Sequence, residues 1–417
     1  MTITVDGFEP TRSIEKPTSL GEVSSILSDA DNSGFGVIPI GGGTGLHVGG
    51  IPTKYDIAIH MTGFKSVVSH NPADLTCTVE AGITLGELQA ILAEHGQFLA
   101  IDAPFPERST VGGIMSSLPT GYLRWQLGHP RDTVIGMEVL LPSGTITKSG
   151  GQVVKNVSGY DMSRLHIGGF GSLGVISKIS FKLTPKPRGE LTIRAFFNDD
   201  KSMHEFVGDI FSTSLMPLAA ACTHNNTYLK DKGEPLDYDS ICYIRIGGGT
   251  RSLEKQTSMI ETIAANHSAV KKESVGTPRS ESLWQEIRDY SEKQFEVIGR
   301  ISSVPSNIHV IEEDLSKKLD ELRVGHKMIC QPGFGTALLF MEGIEAQGSE
   351  SGVRTLRSLR QTVNAYDGTL VYEKIPILWK HSIDVWNVDR IPALHQMRTL
   401  KQTYDPNWTM SSGRFVV

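Results

Sequence analysis

The run Ile38 to Gly50, IPIGGGTGLHVGG, constrains this chain more than any other segment. Val37, Ile38 and Ile40 are β-branched and apolar around Pro39, so the chain enters as a short buried strand and must then turn at the consecutive glycines Gly41 to Gly43. Glycine accepts positive φ, and successive amide groups in such a turn can face one concavity, a nest that holds a diphosphate without a cationic side chain. Thr44 adds a hydroxyl, and Gly45 keeps a Cβ from blocking close approach. Taken alone, the glycines also fit a merely tight turn. Downstream, Ile51-Pro52 and the alternating segment Asp56 to Met61 read as extended chain. A nucleoside-triphosphate loop or a Rossmann turn would open a helix there, which argues against both.

A second glycine cluster has the spacing G-x-G-x-x-G at Gly169, Gly171 and Gly174. The dinucleotide fingerprint needs a helix after it and an acidic residue about twenty positions on. Here Val175, Ile176, Ile179, Phe181 and Leu183 continue as strand, and position 194 is Arg194. Residues 171–176 therefore read as backbone in close approach to a ligand, or as a glycine-rich bend between strands.

The segments GGGTGL (41–46), TVEAGITLGEL (78–88), STVGG (109–113), RDTVIGMEVLLPSG (131–144), KNVSGYDMSRL (155–165) and GSLGVIS (171–177) occur in that order, and DPNWTMSSGR (405–414) closes the chain. This pattern resembles the FAD-linked oxidase family with a vanillyl-alcohol-oxidase type (PCMH-type) FAD-binding domain, and within it the FAD-binding E subunit of glycolate oxidases. The resemblance is dense over residues 15–187, weak over 190–370, and returns near the C-terminus.

The resemblance implies an α+β fold, a two-part FAD-binding domain with a ferredoxin-like cap. It implies non-covalent FAD, with the pyrophosphate at Gly41, Gly42, Gly43, Thr44, Gly45 and Leu46. A second backbone contact falls on Thr110, Gly112 and Gly113, and the strand beside the flavin on Gly171, Gly174, Val175 and Ile176. It also implies a small 2-hydroxy-acid substrate such as glycolate, a sister catalytic flavin subunit and an iron-sulfur subunit. Two departures count against oxidation by this chain alone. The H-x-G-D-G-N-x-H stretch of related 2-hydroxy-acid dehydrogenases has no counterpart, and in the D-P-x-G-x-x-N-P-G tail Trp408 replaces glycine and Ser411-Ser412 replaces Asn-Pro. A free-standing FAD oxidoreductase and a structural subunit without tight flavin binding are the competing readings.

The candidates for catalysis are few. His381 and His395 lie in the tail, where an imidazole could remove a hydroxyl proton. Lys155, within VVKNV, could place a cation beside the flavin. Each has a plainer reading as an exposed or structural residue. Tyr160 and Asp161, and the pair Arg131 and Asp132, read as structural: a tyrosine with a bonded hydroxyl, and carboxylates paired with arginines such as Arg164. The cysteines Cys77, Cys222, Cys242 and Cys330 form no C-x-x-C pair, so no iron-sulfur cluster, structural zinc or disulfide framework is expected, and no metal site. Cys77 shares a period-2 series with Leu75, Val79 and Ala81 and is expected to pack in a core.

With a formal net charge of -6, the chain offers no basic footprint for nucleic acid. It has no run of 18 apolar residues, and MTITVDGFEP has neither a basic n-region nor an apolar core, so a cytoplasmic protein is expected, at a membrane only through partners. The cluster TPKPRG (184–189) marks the domain boundary, giving an FAD-binding domain at 1–188, an α+β cap at 189–378 and a returning tail at 379–417. Ser19 with Glu22 and Thr84 with Glu87 are S/T-x-x-E helix starts, Gly34 and Gly96 are the expected stops, and Leu394, Met397 and Leu400 are expected to dock a tail helix. Strand-like and helix-like segments alternate twice over residues 190–374, as in a duplicated ferredoxin-like cap.

Overall fold

The structure is a computed structural model, and it describes residues 4–151, 160–224, 238–292 and 294–417. Its contacts divide the chain into two compact units: Met1–Gly121, His129–Lys186 and Val388–Val417 form the first, Tyr122–Gly128 and Pro187–Asn387 the second. The division by composition, at 188 and 378, lacks the short segment Tyr122–Gly128, which packs with unit 2 without any compositional mark.

Among the described residues, unit 1 contains two larger sheets and a two-stranded pair. β1 (Ser13–Glu15), β2 (Val37–Ile40) and β3 (Ile57–His60) form a parallel sheet in the order β1-β3-β2. Helix α1 (Leu20–Ser33) buries Val23, Leu27 and Ala30. It starts at Ser19, whose hydroxyl accepts from the Glu22 amide, and ends at Gly34 with φ +72°. Its capping box is incomplete, because the Glu22 carboxylate accepts from the Thr18 amide instead.

After the first sheet, β4 (Val67–Asn71) and β5 (Thr76–Glu80) precede α2 (Leu85–Ala93), and the short β6 (Gln97–Phe98) follows it. Then come α3 (Val111–Ser117), β7 (Val134–Leu140), β8 (Ile146–Gly150), α4 (Ser163–His166), β9 (Val175–Lys182) and β10 (Thr184–Pro185). Among the described residues the antiparallel order is β4-β5-β9-β7-β8, with β6 paired to β10. On β5 the residues Thr76 to Val79 are all buried, and Cys77 and Val79 enter a core shared with Leu88, Leu92, Val111, Ile114, Met115, Ile179 and Phe181. Burial there pushes the Cys77 thiol up to about 12. Thr84 and Glu87 make the full reciprocal capping box at the start of α2. Gly96, φ +65°, donates to the Ala93 carbonyl, so this stop lies one turn beyond the helix's last residue.

Among the described residues, unit 2 is built from two copies of one βαββαβ pattern. The first runs β11 (Gly189–Phe197), α5 (Asp200–Phe211), β12 (Ala219–His224), β13 (Ser240–Gly248), α6 (Thr250–Asn266) and β14 (Lys271–Gly276). After α7 (Arg279–Arg288), the second runs β15 (Val297–Ser302), α8 (Ile308–Glu321), β16 (Gly325–Gln331), β17 (Thr336–Glu342), α9 (Ser349–Ala365) and β18 (Thr369–Lys374). The combined order is β14-β11-β13-β12-β16-β17-β15-β18. Each repeat thus takes the ferredoxin-like order fourth, first, third, second, and the repeats join edge to edge at β12 and β16. Gly247 and Gly248 end β13, and Gly249 is the N-cap of α6.

The chain then returns to unit 1 through α10 (Leu394–Tyr404). No helix among the described residues is long and apolar enough to cross a membrane.

Candidate functional site

β2 delivers the chain into the glycine turn. A Cβ on Gly42 would lie 1.6 Å from the Arg108 carbonyl oxygen, and one on Gly41 would lie 2.2 Å from Thr110 Oγ1. These two glycines therefore admit neighbouring protein rather than keeping space for a ligand. Gly43 differs: its φ is +76°, and the nearest atom to a Cβ there would be Leu46 Cδ1 at 3.7 Å. Among the described residues no acceptor takes the amide protons of Gly42, Gly43, Thr44 or Gly45. Such donors are satisfied by solvent or by a bound anion. Ser109 donates to the Pro104 carbonyl at 2.6 Å, so in its 2.9 Å contact with Thr44 the threonine hydroxyl is the donor. The loop is thus fixed by β2 on one side and residues 104–110 on the other, with those four amides left facing no protein acceptor among the described residues.

The second half of the loop is held by a residue that the sequence reading passes over. Arg414 is 5% exposed and donates to the carbonyls of Leu46 and Gly50, each at 2.7 Å, and to that of Val48. Asp6 lies 2.5 Å from the same guanidinium and balances its charge. Burial draws the Arg414 pKa below its ordinary value against the pull of Asp6, and burial raises the neighbouring Tyr55 to about 12. Residues 412–414 also run beside 50–53, through Gly50 N to Arg414 O and Thr53 N to Ser412 O. The "SSGR" of the tail is therefore part of the loop's structure.

Behind that tail, Lys401 on α10 is fully buried. Its ammonium donates to Asp405 Oδ2 at 2.6 Å, the Ser172 carbonyl at 2.7 Å and the Met410 carbonyl at 2.8 Å. Asp405, also fully buried, accepts from the Thr409 and Met410 amides. Burial depresses the lysine pKa while Asp405 opposes that change. One buried ion pair thus ties α10 to both the turn before β9 and the closing segment. Leu394, Met397 and Leu400 are only half-buried. Trp408 stands at φ +56°, the left-handed conformation that explains why a glycine suits this tail position.

The other expected contacts are distributed as follows. Thr110 N-caps α3 and accepts from the Gly113 amide at 3.2 Å, while the Gly112 amide donates to the Ala81 carbonyl at 2.8 Å. A Cβ on Gly112 would lie 2.7 Å from that of Ala81, so packing of α3 on β5 accounts for this glycine. Gly171, φ +68°, abuts Pro39 and Ser411, whose buried hydroxyl has no hydrogen-bond partner among the described residues. Gly174 lets β9 approach the Leu140 carbonyl of β7, and Val175 and Ile176 are buried sheet residues. The structure thus brings Pro39, Gly171 and Ser411 to one place at the root of the glycine loop.

His395 is exposed on α10 in unit 1, His381 is exposed in unit 2, and Lys155 lies outside the described residues. Tyr160 is 92% exposed rather than packed in a core, and Asp161 pairs with Arg164 at 2.9 Å. Three of the cysteines, dispersed in sequence, align across neighbouring strands of unit 2: Cys242 opposes Cys222, which opposes Cys330.

Comparison with known proteins supplies the chemistry. A family model described as an FAD binding domain matches residues 12–150. Glycolate oxidase subunit GlcD of Bacillus subtilis is 29% identical over 270 residues, 64% of this chain and 57% of that protein. Glycolate oxidase subunit GlcE of Escherichia coli is 29% identical over 253 residues, 60% of this chain and 63% of that protein. The chain thus matches less than two thirds of either subunit. A mitochondrial D-lactate dehydrogenase [cytochrome] of Arabidopsis thaliana is 26% identical, covering 96% of this chain and 72% of its own length. Among solved structures, 4-ethylphenol oxidase from Gulosibacter chungangensis superposes with a TM-score of 0.76 at 14% identity, over 99% of this chain and 90% of that one. For p-cresol methylhydroxylase the TM-score is 0.75 at 15% identity, over 96% and 88%. These last two show a shared fold.

Proposed function

Because the chain belongs to the FAD-linked oxidases through its FAD-binding domain, with FAD as cofactor, we propose that it is an FAD-dependent oxidoreductase serving as the FAD-binding subunit of a glycolate oxidase-like complex. The observation that carries this reading is the row of unaccepted amides from Gly42 to Gly45, inside the segment matched by the FAD-binding family. Bound FAD would supply the hydride acceptor and the electron relay.

The chain's own residues then do three things. The amides of Gly42 to Gly45 bind the diphosphate, with Gly43 supplying the left-handed backbone that the turn requires. Arg414 and Asp6 fix the carbonyl side of the loop, so its amides are oriented before any ligand arrives. Lys401 and Asp405 lock α10 onto the turn that carries Gly171 and Ser172.

The substrate we assign is a small 2-hydroxy acid such as glycolate, oxidised with a sister catalytic flavin subunit and an iron-sulfur subunit in the cytoplasm. The missing H-x-G-D-G-N-x-H stretch and the exposure of His381 and His395 favour a base supplied from outside this chain. A single-chain dehydrogenase is the second reading, favoured by the D-lactate dehydrogenase that aligns over 96% of the chain.

The purified chain is expected to be yellow and, on acid precipitation, to release intact FAD into the supernatant. Flavin left in the pellet would refute non-covalent binding. A colourless chain that cannot be reconstituted with FAD would overturn the flavoprotein reading.

A further inference from the structure

Within unit 2, three side chains far apart in sequence meet between the sheet and two helices: His204 on α5, His224 at the end of β12 and Glu312 on α8. Glu312 Oε2 lies 2.9 Å from His224 Nε2 and 3.2 Å from His204 Nε2, and the donor atoms of all three lie within 4.8 Å of one another. Their side chains are 3%, 5% and 10% exposed for Glu312, His224 and His204.

A buried carboxylate demands hydrogen bonds or a cation. Despite the short distances, among the described residues neither Glu312 oxygen nor His204 Nε2 has a partner in hydrogen-bonding geometry. Nitrogen and oxygen atoms this close, without an N–H directed at the oxygen, suit lone pairs converging on a shared centre. Zinc bonds of about 2.0–2.2 Å in a tetrahedron separate neighbouring donors by roughly 3.3 Å, close to the 2.9 and 3.2 Å that separate Glu312 from the two imidazoles.

The surroundings support the same arrangement. Asp200 Oδ1 lies 3.0 Å from Nδ1 of His224, which among the described residues also lacks a partner in hydrogen-bonding geometry, so a carboxylate faces the ring nitrogen opposite Nε2, as in carboxylate–histidine–metal arrangements. Cys330 Sγ lies 3.5 Å from that Nε2, so a soft donor stands beside the site. Two imidazoles with one carboxylate suit zinc among common divalent ions, whereas magnesium and calcium favour all-oxygen shells.

We propose that His204, His224 and Glu312 bind one divalent transition-metal ion, zinc by its donor set, that staples the two βαββαβ repeats together. His204 and His224 belong to the first repeat and Glu312 to the second, so the ion would reinforce the β12–β16 seam. The site is independent of the flavin reading. It departs from the expectation of no metal, because no local spacing in the sequence groups these three residues.

The test uses the full flavoprotein, stripped with a chelator, given zinc and desalted. One retained equivalent of zinc, with imidazole scattering in its K-edge absorption spectrum and a raised melting temperature, is the expected result. His204→Asn and Glu312→Gln should lose that zinc while keeping FAD. Zinc retention and an X-ray absorption spectrum unchanged in His204→Asn would overturn the assignment, as would no retained zinc in the unaltered chain. Should both variants fail to fold, cobalt added to the unaltered chain decides: tetrahedral d–d absorption supports the site, and its absence sinks it.

Discussion

Gly43 carries the most demanding backbone of the glycine loop, with φ +76° and no protein atom closer than 3.7 Å to a would-be Cβ. A valine there resists positive φ at a cost of about 1–3 kcal/mol and places its methyls on the open side of the turn. Gly43→Val is therefore expected to weaken FAD binding by roughly 5- to 150-fold, read as flavin per chain and by equilibrium titration; unchanged affinity would make the loop a plain turn. Glu138 tests electrostatics at the same scale. Its carboxyl is raised by burial, but hydrogen bonds from Lys178, Lys148 and Ser177 outweigh this and leave it below the usual range. A carboxyl depressed on folding stabilises above its unfolded pKa, near 4.3, and loses that contribution as pH falls through the folded value. The stability deficit of Glu138→Gln in urea should thus be greatest at neutral pH and shrink toward about pH 3. A deficit independent of pH would remove Glu138 from that account. Sequence alone marks Gly41 and Gly42 as special but not why, since their partners, Thr110 and Arg108, enter from a distant loop.

Helices of unit 1 illustrate what local pattern can and cannot convey. α1 and α2 are legible because their starts and apolar spacing lie within a few residues of each other, as with Thr84 and Glu87. α10 is legible as a helix but not in its seam: Leu394, Met397 and Leu400 are half-buried, while the fully buried residue is Lys401. A lysine in sequence reads as solvated, and only the fold shows an aspartate and two carbonyls around it. Removing one partner of such a pair strands the other charge, so Lys401→Met is expected to cost about 3–5 kcal/mol. The double variant Lys401→Met/Asp405→Leu should recover much of that loss in urea denaturation. Equal losses in single and double variants would show that the pair is not what holds the helix.

At the scale of the whole chain, the duplicated cap was readable from two rounds of alternating strand and helix, whereas the edge pairing of β12 with β16 was not, since register is set across a gap of over a hundred residues. The same limit hid the tie between Arg414 and the glycine loop. Activity belongs to this scale too. With glycolate alone, the flavin is expected to bleach slowly in stopped-flow, and partner subunits should accelerate it, because a positioned base is worth roughly 10²- to 10⁴-fold in rate. Complete bleaching of the isolated chain within the mixing experiment's first seconds would instead favour the single-chain dehydrogenase. Finally, Arg414 meets the Gly50 carbonyl across 364 positions of chain. During synthesis at about 5–20 residues per second, that interval lasts on the order of 20 to 70 s. Throughout it the nascent chain has its glycine turn but lacks the arginine that organises it, so tight cofactor loading is expected only once the last residues have been released.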